Sequence, residues 1–283
     1  MSDDLSSRVA IVTGAAGGIG RRIVDGLLSA GGRVFAVDLE RNSLDALQAE
    51  HGSNRLHCMA TDLTDTAAPE RILEEAKGVF GRINVLVNNA GIGRSIYTND
   101  IIEGAPAAWS IPSWAWERMF RVNTLSAIYL SNVMVSEFLA QGEGSLVFVT
   151  TSLNSMINAG TGPYGPSKAA LEAYAAVLVD ELSDTPIAVN VVIPGGVVDT
   201  PMIPDQANFP RSDFLPPQVM VRPIQYLLSP AGRKVTGWRI RANLWQEMAN
   251  PIQALQHAGA PIAWSSIASG QRRPLRKHSR FPD

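Results

Sequence analysis

The chain has 283 residues, 46% hydrophobic and 18% charged, the balance of a folded globular protein and not of a disordered one. Its formal net charge of −2 leaves no global field to gather nucleic acid or an anionic membrane. A single cysteine, Cys58, excludes an intrachain disulfide, a thiolate zinc cage and an iron–sulfur cluster, and fits a reducing compartment.

Residues 1–8 are polar, without the apolar core of a signal peptide, and no apolar run is long enough to span a bilayer. A cytoplasmic protein is expected. Residues 9–12 form a short apolar run closed by Thr13-Gly14. Ile19, Ile23, Gly26, Leu27 and Ala30 then recur at helical spacing, and Gly31-Gly32 ends that helix. Residues 34–37 read as a strand ending at Asp38, and residues 43–50 as a short helix. A third strand at 56–60 runs to Asp62, and a helix at 67–80 leads to a fourth strand at 85–87. A long helical pattern covers 113–140, followed by a strand at 146–149 and a helix at 167–182. Residues 187–193 are another apolar run; 218–228 read as a last helix and 238–242 as a last strand.

Strands alternating with helices predict an α/β fold, a doubly wound parallel sheet with helices on both faces. Residues 1–244 read as one domain, with 245–283 as a C-terminal extension whose basic end is expected to be mobile. Two further segments, 92–113 and 201–217, are irregular and rich in proline, as functional loops often are.

Thr13 to Gly20 reads TGAAGGIG between a strand and a helix. Glycines there allow a tight turn, and the helix N-terminus offers free N–H groups to a pyrophosphate. Asp38 ends the second strand about 20 residues further on. Its carboxylate suits adenosine ribose hydroxyls and repels a 2′-phosphate, favouring NAD; nearby Arg41 keeps NADP open as the less favoured cofactor. Tyr164 and Lys168 stand at i and i+4, one face of a helix, with Pro166 tolerable in its first turn. At about 5 Å and an effective dielectric near 20, a Lys⁺ stabilises a phenolate by roughly 3 kcal/mol, about two pKa units.

Taken with Val87-Asn88-Asn89-Ala90-Gly91, Asn123, Ser152, Pro194-Gly195 and Thr200-Pro201-Met202, these motifs resemble the compact branch of the short-chain dehydrogenase/reductase family, over residues 8–242. The spacing Gly14, Gly18, Gly20 is that family's TGxxxGxG form. The resemblance implies a Rossmann-type sheet of about seven strands and a catalytic tetrad of Asn123, Ser152, Tyr164 and Lys168. It implies cofactor contacts from Gly14, Gly18, Ile19, Gly20, Asp38, Asp62, Leu63, Asn89, Ala90, Gly91, Tyr164, Lys168, Pro194, Gly195, Val197 and Thr200. Tyr164 would move the proton, Lys168 lower its pKa and bind the nicotinamide ribose, Ser152 hold the substrate oxygen and Asn123 a relay water.

Three spacings depart from the family. Ser152 lies 12 positions before Tyr164 where 13 is usual; Thr151 lies 13 before. Because the serine ends the run Val-Phe-Val-Thr-Thr-Ser, the strand count is followed and Ser152 is expected to face the substrate. Thr200 lies six after Pro194 where five is usual, leaving Val197 and Val198 as alternatives beside the nicotinamide. Asn243-Leu244 stand where an aspartate and paired glycines are usual.

The four histidines, His51, His57, His257 and His278, lack metal-ligand spacing, so no metal is expected. Trp109, Trp114 and Trp116 fit either an apolar pocket or loop packing. The expected function is NAD-dependent interconversion of a secondary alcohol and a ketone. The alternatives are a nucleotide-sensing regulator and an epimerase or dehydratase of the family's extended branch. Met202, Ile203, Phe209, Phe214 and Leu215 suggest an apolar or aromatic substrate. A homodimer or homotetramer is expected, with residues 245–268 covering a neighbouring subunit.

Overall fold

A computed structural model describes residues 4–52, 54–99, 105–204, 210–246 and 250–264. The strands are β1 (Val9–Thr13), β2 (Arg33–Asp38), β3 (Leu56–Ala60), β4 (Val85–Asn88), β5 (Gly144–Val149), β6 (Ile187–Ile193), β7 (Trp238–Arg241) and β8 (Gly259–Pro261). They form one sheet in the order β3-β2-β1-β4-β5-β6-β7-β8. All neighbours are parallel except β7 and β8, which are antiparallel. The helices are α1 (Gly18–Ser29), α2 (Arg41–His51), α3 (Ala68–Phe80), α4 (Ser113–Phe120), α5 (Ser126–Gln141), α6 (Leu153–Ile157), α7 (Tyr164–Glu181), α8 (Val221–Leu228) and α9 (Pro251–Ala258).

Because side chains alternate along a strand, each apolar run feeds two cores. Ala10, Val12, Val34 and Ala36 face one layer, with Ile23, Val24 and Leu27 of α1 and Ile224 and Leu228 of α8. Val9, Ile11, Phe35 and Val37 face the other, with Ile72 of α3, Leu130 and Met134 of α5 and Leu171 of α7. Each such fully buried Val, Leu, Ile, Met or Phe side chain contributes roughly 1.5–3 kcal/mol. The near-continuous apolar strands thus have the physical meaning expected of them: a Rossmann-type sheet covered on both sides.

Several boundaries differ from the sequence reading. The helix expected from residue 167 starts at Tyr164, so Pro166 sits in its first turn, where its missing N–H costs nothing. The long helix is interrupted by a π-turn at Arg121–Leu125 that separates α4 from α5. The helix expected at 218–228 opens with a 3₁₀ turn, Pro217–Met220, before α8.

The sheet also has an eighth strand that the reading missed. Part of the segment 245–268 lies on the chain's own sheet. There β8 pairs with the outer edge of β7, while Leu255 and Ala258 of α9 join one core and Ile262 the other. The physical reason is that an unpaired edge leaves backbone groups open to pairing, and Pro261 then ends the new edge without a donor. The basic run Arg272 to Arg280 lies outside the described residues, as does Phe209.

Candidate active site

The strand order reverses between β1 and β4, so the loops after them diverge and leave a crevice at the carboxyl end of the sheet. Here the phosphate loop meets the Asn88–Gly91 turn. Gly14 has φ of 62°, and a Cβ there would fall 2.8 Å from Ala90 Cα; a Cβ on Gly20 would fall 1.9 Å from the Gly14 oxygen. Only glycine permits both contacts. Asn89 braces the loop, its Nδ2 donating to the carbonyls of Thr13 (3.0 Å) and Gly14 (3.1 Å). The backbone N–H groups of Asn89 and Ala90 both donate to Thr13 Oγ1 at 3.1 Å.

At the start of α1 no side chain caps the first N–H groups, and the first turn holds no acidic residue. A Cβ on Gly17 would meet nothing within 4 Å. This open, uncapped, acid-free cradle fits the pyrophosphate of a dinucleotide. Ile19 meanwhile packs back against the core. Asp38 closes β2 with Oδ2 accepting from Ala16 N–H at 2.9 Å and Oδ1 from Leu39 N–H at 2.7 Å. These bonds hold the carboxylate against the loop. Asp62, after β3, accepts from Thr64 N–H and Oγ1, both at 2.8 Å, and neighbouring Leu63 packs on the core.

The loop after β6 returns over the phosphate loop, where Thr200 Cγ2 lies 3.0 Å from the place of a Gly18 Cβ. Asn243 N–H donates to the Pro194 carbonyl at 3.0 Å. Its side chain packs so closely on Gly195, at φ 91°, that a Cβ would fall 1.8 Å from its Oδ1. The unusual Asn243 therefore buttresses the Pro194-Gly195 turn. Val198 is buried and bridged to Leu215, whereas Val197 is 51% exposed.

Asn123 is fully buried on the π-turn, a feature often found at functional sites. Its Oδ1 accepts from Ile92 N–H at 2.8 Å, while Nδ2 donates to the Ile92 carbonyl at 3.0 Å and to Ser167 Oγ at 3.1 Å. Lys168 Nζ and Asn123 Oδ1 each lie 3.2 Å from the place a Gly91 Cβ would take. The NNAG turn, the π-turn and α7 therefore converge.

Two details stand out around Tyr164. The neighbouring hydroxyl that acts on the Tyr164 phenol is that of Thr151, not Ser152. Ser152 instead caps α6, its Oγ accepting from Ser155 N–H at 3.0 Å and sharing a hydrogen bond with Ser155 Oγ at 2.7 Å. The reason is that β5 ends at Val149, so strand alternation no longer governs residues 150–152. Lys168 was expected to lower the phenol's pKa. Here burial raises it, and the Thr151 hydroxyl, then the positive charge of Arg94, oppose the rise. Lys168 is buried, donates from Nζ to the Val149 carbonyl at 3.1 Å, and has its own pKa pushed down to about 8 by burial.

Arg94 escaped the sequence reading. It donates from Nη1 to the Gly160 carbonyl at 2.7 Å, and Tyr97 Oη donates to the Gly162 carbonyl at 2.7 Å. Together they clamp the loop that leads into Tyr164. No motif marks either residue. On the surface, Asp25, Glu50 and His51 come together, but Arg22 and Arg21 already pair with the two carboxylates. A cleft lined by Arg8, Glu143, Ser145, Ile187 and Lys234 sits at the opposite end of the strands, away from these groups.

A lysine pKa below its unfolded value of 10.5 means that the folded state binds the proton less readily. The cost is full below about pH 8 and fades as pH rises from about 8 toward 10.5. Lys168→Met should therefore make the protein without cofactor more stable at pH 7, by on the order of 1–2 kcal/mol. Urea melts at pH 7 and pH 9.5 check this, because the wild type should gain on the variant at the higher pH. An equal gap at both would contradict the burial cost.

This crevice, with its glycine cradle and its buried lysine one turn from Tyr164, has the form of a dinucleotide site. The chain matches the short chain dehydrogenase family over residues 8–209 and belongs to it. It is similar to 1-deoxy-11-beta-hydroxypentalenate dehydrogenase of Streptomyces avermitilis, 35% identical over 202 residues, covering 70% of this chain and 71% of that one. Among solved structures it is similar to a short-chain dehydrogenase/reductase, a glucose/ribitol dehydrogenase from Brucella melitensis. That likeness has a TM-score of 0.72 at 27% identity and covers 85% of this chain and 97% of the other. It is also similar to a closed serine dehydrogenase complexed with NADP+, with a TM-score of 0.61 at 26% identity, over 68% of this chain and 73% of that one.

Proposed function

We propose that the protein is an NAD-dependent oxidoreductase that interconverts a secondary alcohol and its ketone. The observation that carries this reading is the convergence of buried Asn123, Gly91 and buried Lys168, with Tyr164 one helical turn before the lysine on α7. In this reading Tyr164 takes the alcohol proton during oxidation and returns it during reduction. Thr151, in the role first expected of Ser152, donates to the substrate oxygen as charge develops on it. Lys168 orients the nicotinamide ribose, and Asn123 holds the turn at Ile92 and a relay water. The nicotinamide, when bound, supplies the hydride acceptor or donor.

The cradle's partners are Gly14, Gly18, Ile19, Gly20, Asn89, Ala90 and Gly91, with Asp62 and Leu63 toward the adenine. Pro194, Gly195, Val197 and Thr200 complete the nicotinamide side. A sensor would need only this half of the site.

Trp116 lies 3.4 Å from the place of a Gly162 Cβ, and Met202 Cγ 2.7 Å from that of a Gly93 Cβ. These apolar groups flank the loops around Tyr164 and favour an apolar or aromatic substrate. The names of the similar proteins span a hydroxylated carboxylate, a sugar or polyol and serine, so the substrate class rests on this lining. The reading includes a cytoplasmic homodimer or homotetramer. Among the described residues no helix is long and apolar enough to cross a membrane.

The cofactor choice is testable. A panel of alcohols and ketones with both cofactors should give a higher kcat/KM with NAD, since Asp38 meets the adenosine ribose where NADP carries its phosphate. Asp38→Ala should narrow the gap. A wild-type preference for NADP would overturn this part and shift attention to exposed Arg41, three residues on at the start of α2.

A further inference from the structure

The proton chemistry makes no use of one buried ion pair. Glu172, on α7 one turn beyond Lys168, is fully buried, and Arg239 of β7 is 6% exposed. Arg239 Nε donates to Glu172 Oε1 at 2.9 Å, and its Nη2 donates to the Thr151 carbonyl at 2.5 Å. Thr150 Oγ1 donates to Glu172 Oε2 at 2.8 Å. Ala263 N–H, just beyond β8, donates to Glu172 Oε1 at 3.2 Å.

Removing two charges from water is costly, and an apolar pair of similar volume is often at least as stabilising. Stability alone is thus a poor reason for this pair. Its placement supplies another. The ladder between β5 and β6 ends at Val149, so no sheet hydrogen bonds hold the residues that follow. Charged side chains take over one by one. Lys168 holds the Val149 carbonyl, Glu172 the Thr150 hydroxyl and Arg239 the Thr151 carbonyl. The planar guanidinium suits the last task, because its fork fixes two N–H directions at once, one on Glu172 and one on Thr151. A lysine could keep the ion pair but not the fork.

We propose that Glu172 and Arg239 are positioning residues that hold the Thr151 backbone so that its hydroxyl meets Tyr164, with the segment after β8 completing the grip through Ala263. The proposal rests on the reading that Thr151 and Tyr164 perform the chemistry. It gives the C-terminal extension a task at the active site, although the extension lies at the sheet's far edge.

The test is a cycle of Thr151→Val, Arg239→Lys and the double variant, measured for kcat, KM, cofactor Kd and Tm. Arg239→Lys should lower kcat roughly 10- to 100-fold, the scale for a misplaced catalytic group, and leave KM and cofactor Kd within about twofold. In the Thr151→Val background the same change should cost almost nothing more, because the hydroxyl it positions is gone. Multiplicative losses, or an Arg239→Lys enzyme with full kcat, would overturn the positioning role alone. A fully active Thr151→Val enzyme would overturn the underlying reading and this proposal with it. Should Arg239→Lys fail to fold, E172M/R239M serves in its place, since an apolar pair tolerates burial. A normal Tm with the same kcat loss supports the role, and a normal Tm with full kcat overturns it.

Discussion

Tyr164→Phe is expected to lose at least about 10²-fold in kcat while binding cofactor as the wild type does, the scale of lost general acid–base catalysis. The two observables separate because the phenol oxygen and the cofactor cradle are held by different groups. The ring is kept in phenylalanine, so the start of α7 and its packing survive. The cradle is built from Gly14, Gly20 and the Asn89 bonds to Thr13 and Gly14, none of which involves Tyr164. Stopped-flow or steady-state turnover and a cofactor titration by fluorescence measure the two quantities. Near wild-type turnover would remove the mechanism.

The second large effect separates two neighbours. Thr151→Val should cost about 2–4 kcal/mol in kcat/KM, the scale for losing a donor to a developing oxyanion. It keeps the shape and removes the hydroxyl that acts on the Tyr164 phenol. That hydroxyl is also the larger of the two influences opposing the burial-driven rise of the Tyr164 pKa. Without it the pKa stands higher, so the base form needed for alcohol oxidation appears at higher pH. The alkaline rise of the kcat profile should move upward in Thr151→Val. Ser152→Ala should leave kcat nearly intact and cost about 1 kcal/mol of stability, the usual loss on removing an N-cap. The opposite order of damage in the two variants would restore the serine as the substrate's partner.

The sequence by itself determined the architecture and marked the local motifs of the candidate site. Its apolar strand runs and helical periods encode two-sided burial, and the α/β sheet follows from that alone. TGAAGGIG marks a loop that only glycines can close, and Tyr164 with Lys168 marks one helical face. Tertiary structure decided what lies between such local signals. The choice between Thr151 and Ser152 depended on where β5 stops and on α6, a helix of five residues, too short to show a period. In retrospect, Ser152 with Ser155 three positions later fits a capped helix start. Asn123 gained its place from a π-turn, and β8 from an open sheet edge that accepted three residues ending in proline. Arg94, Glu172 and Arg239 act through partners 66, 22 to 91 and 67 to 88 positions away. Sequence patterns report on neighbours along the chain, whereas these contacts form only when packing brings distant elements together and burial makes their charges consequential.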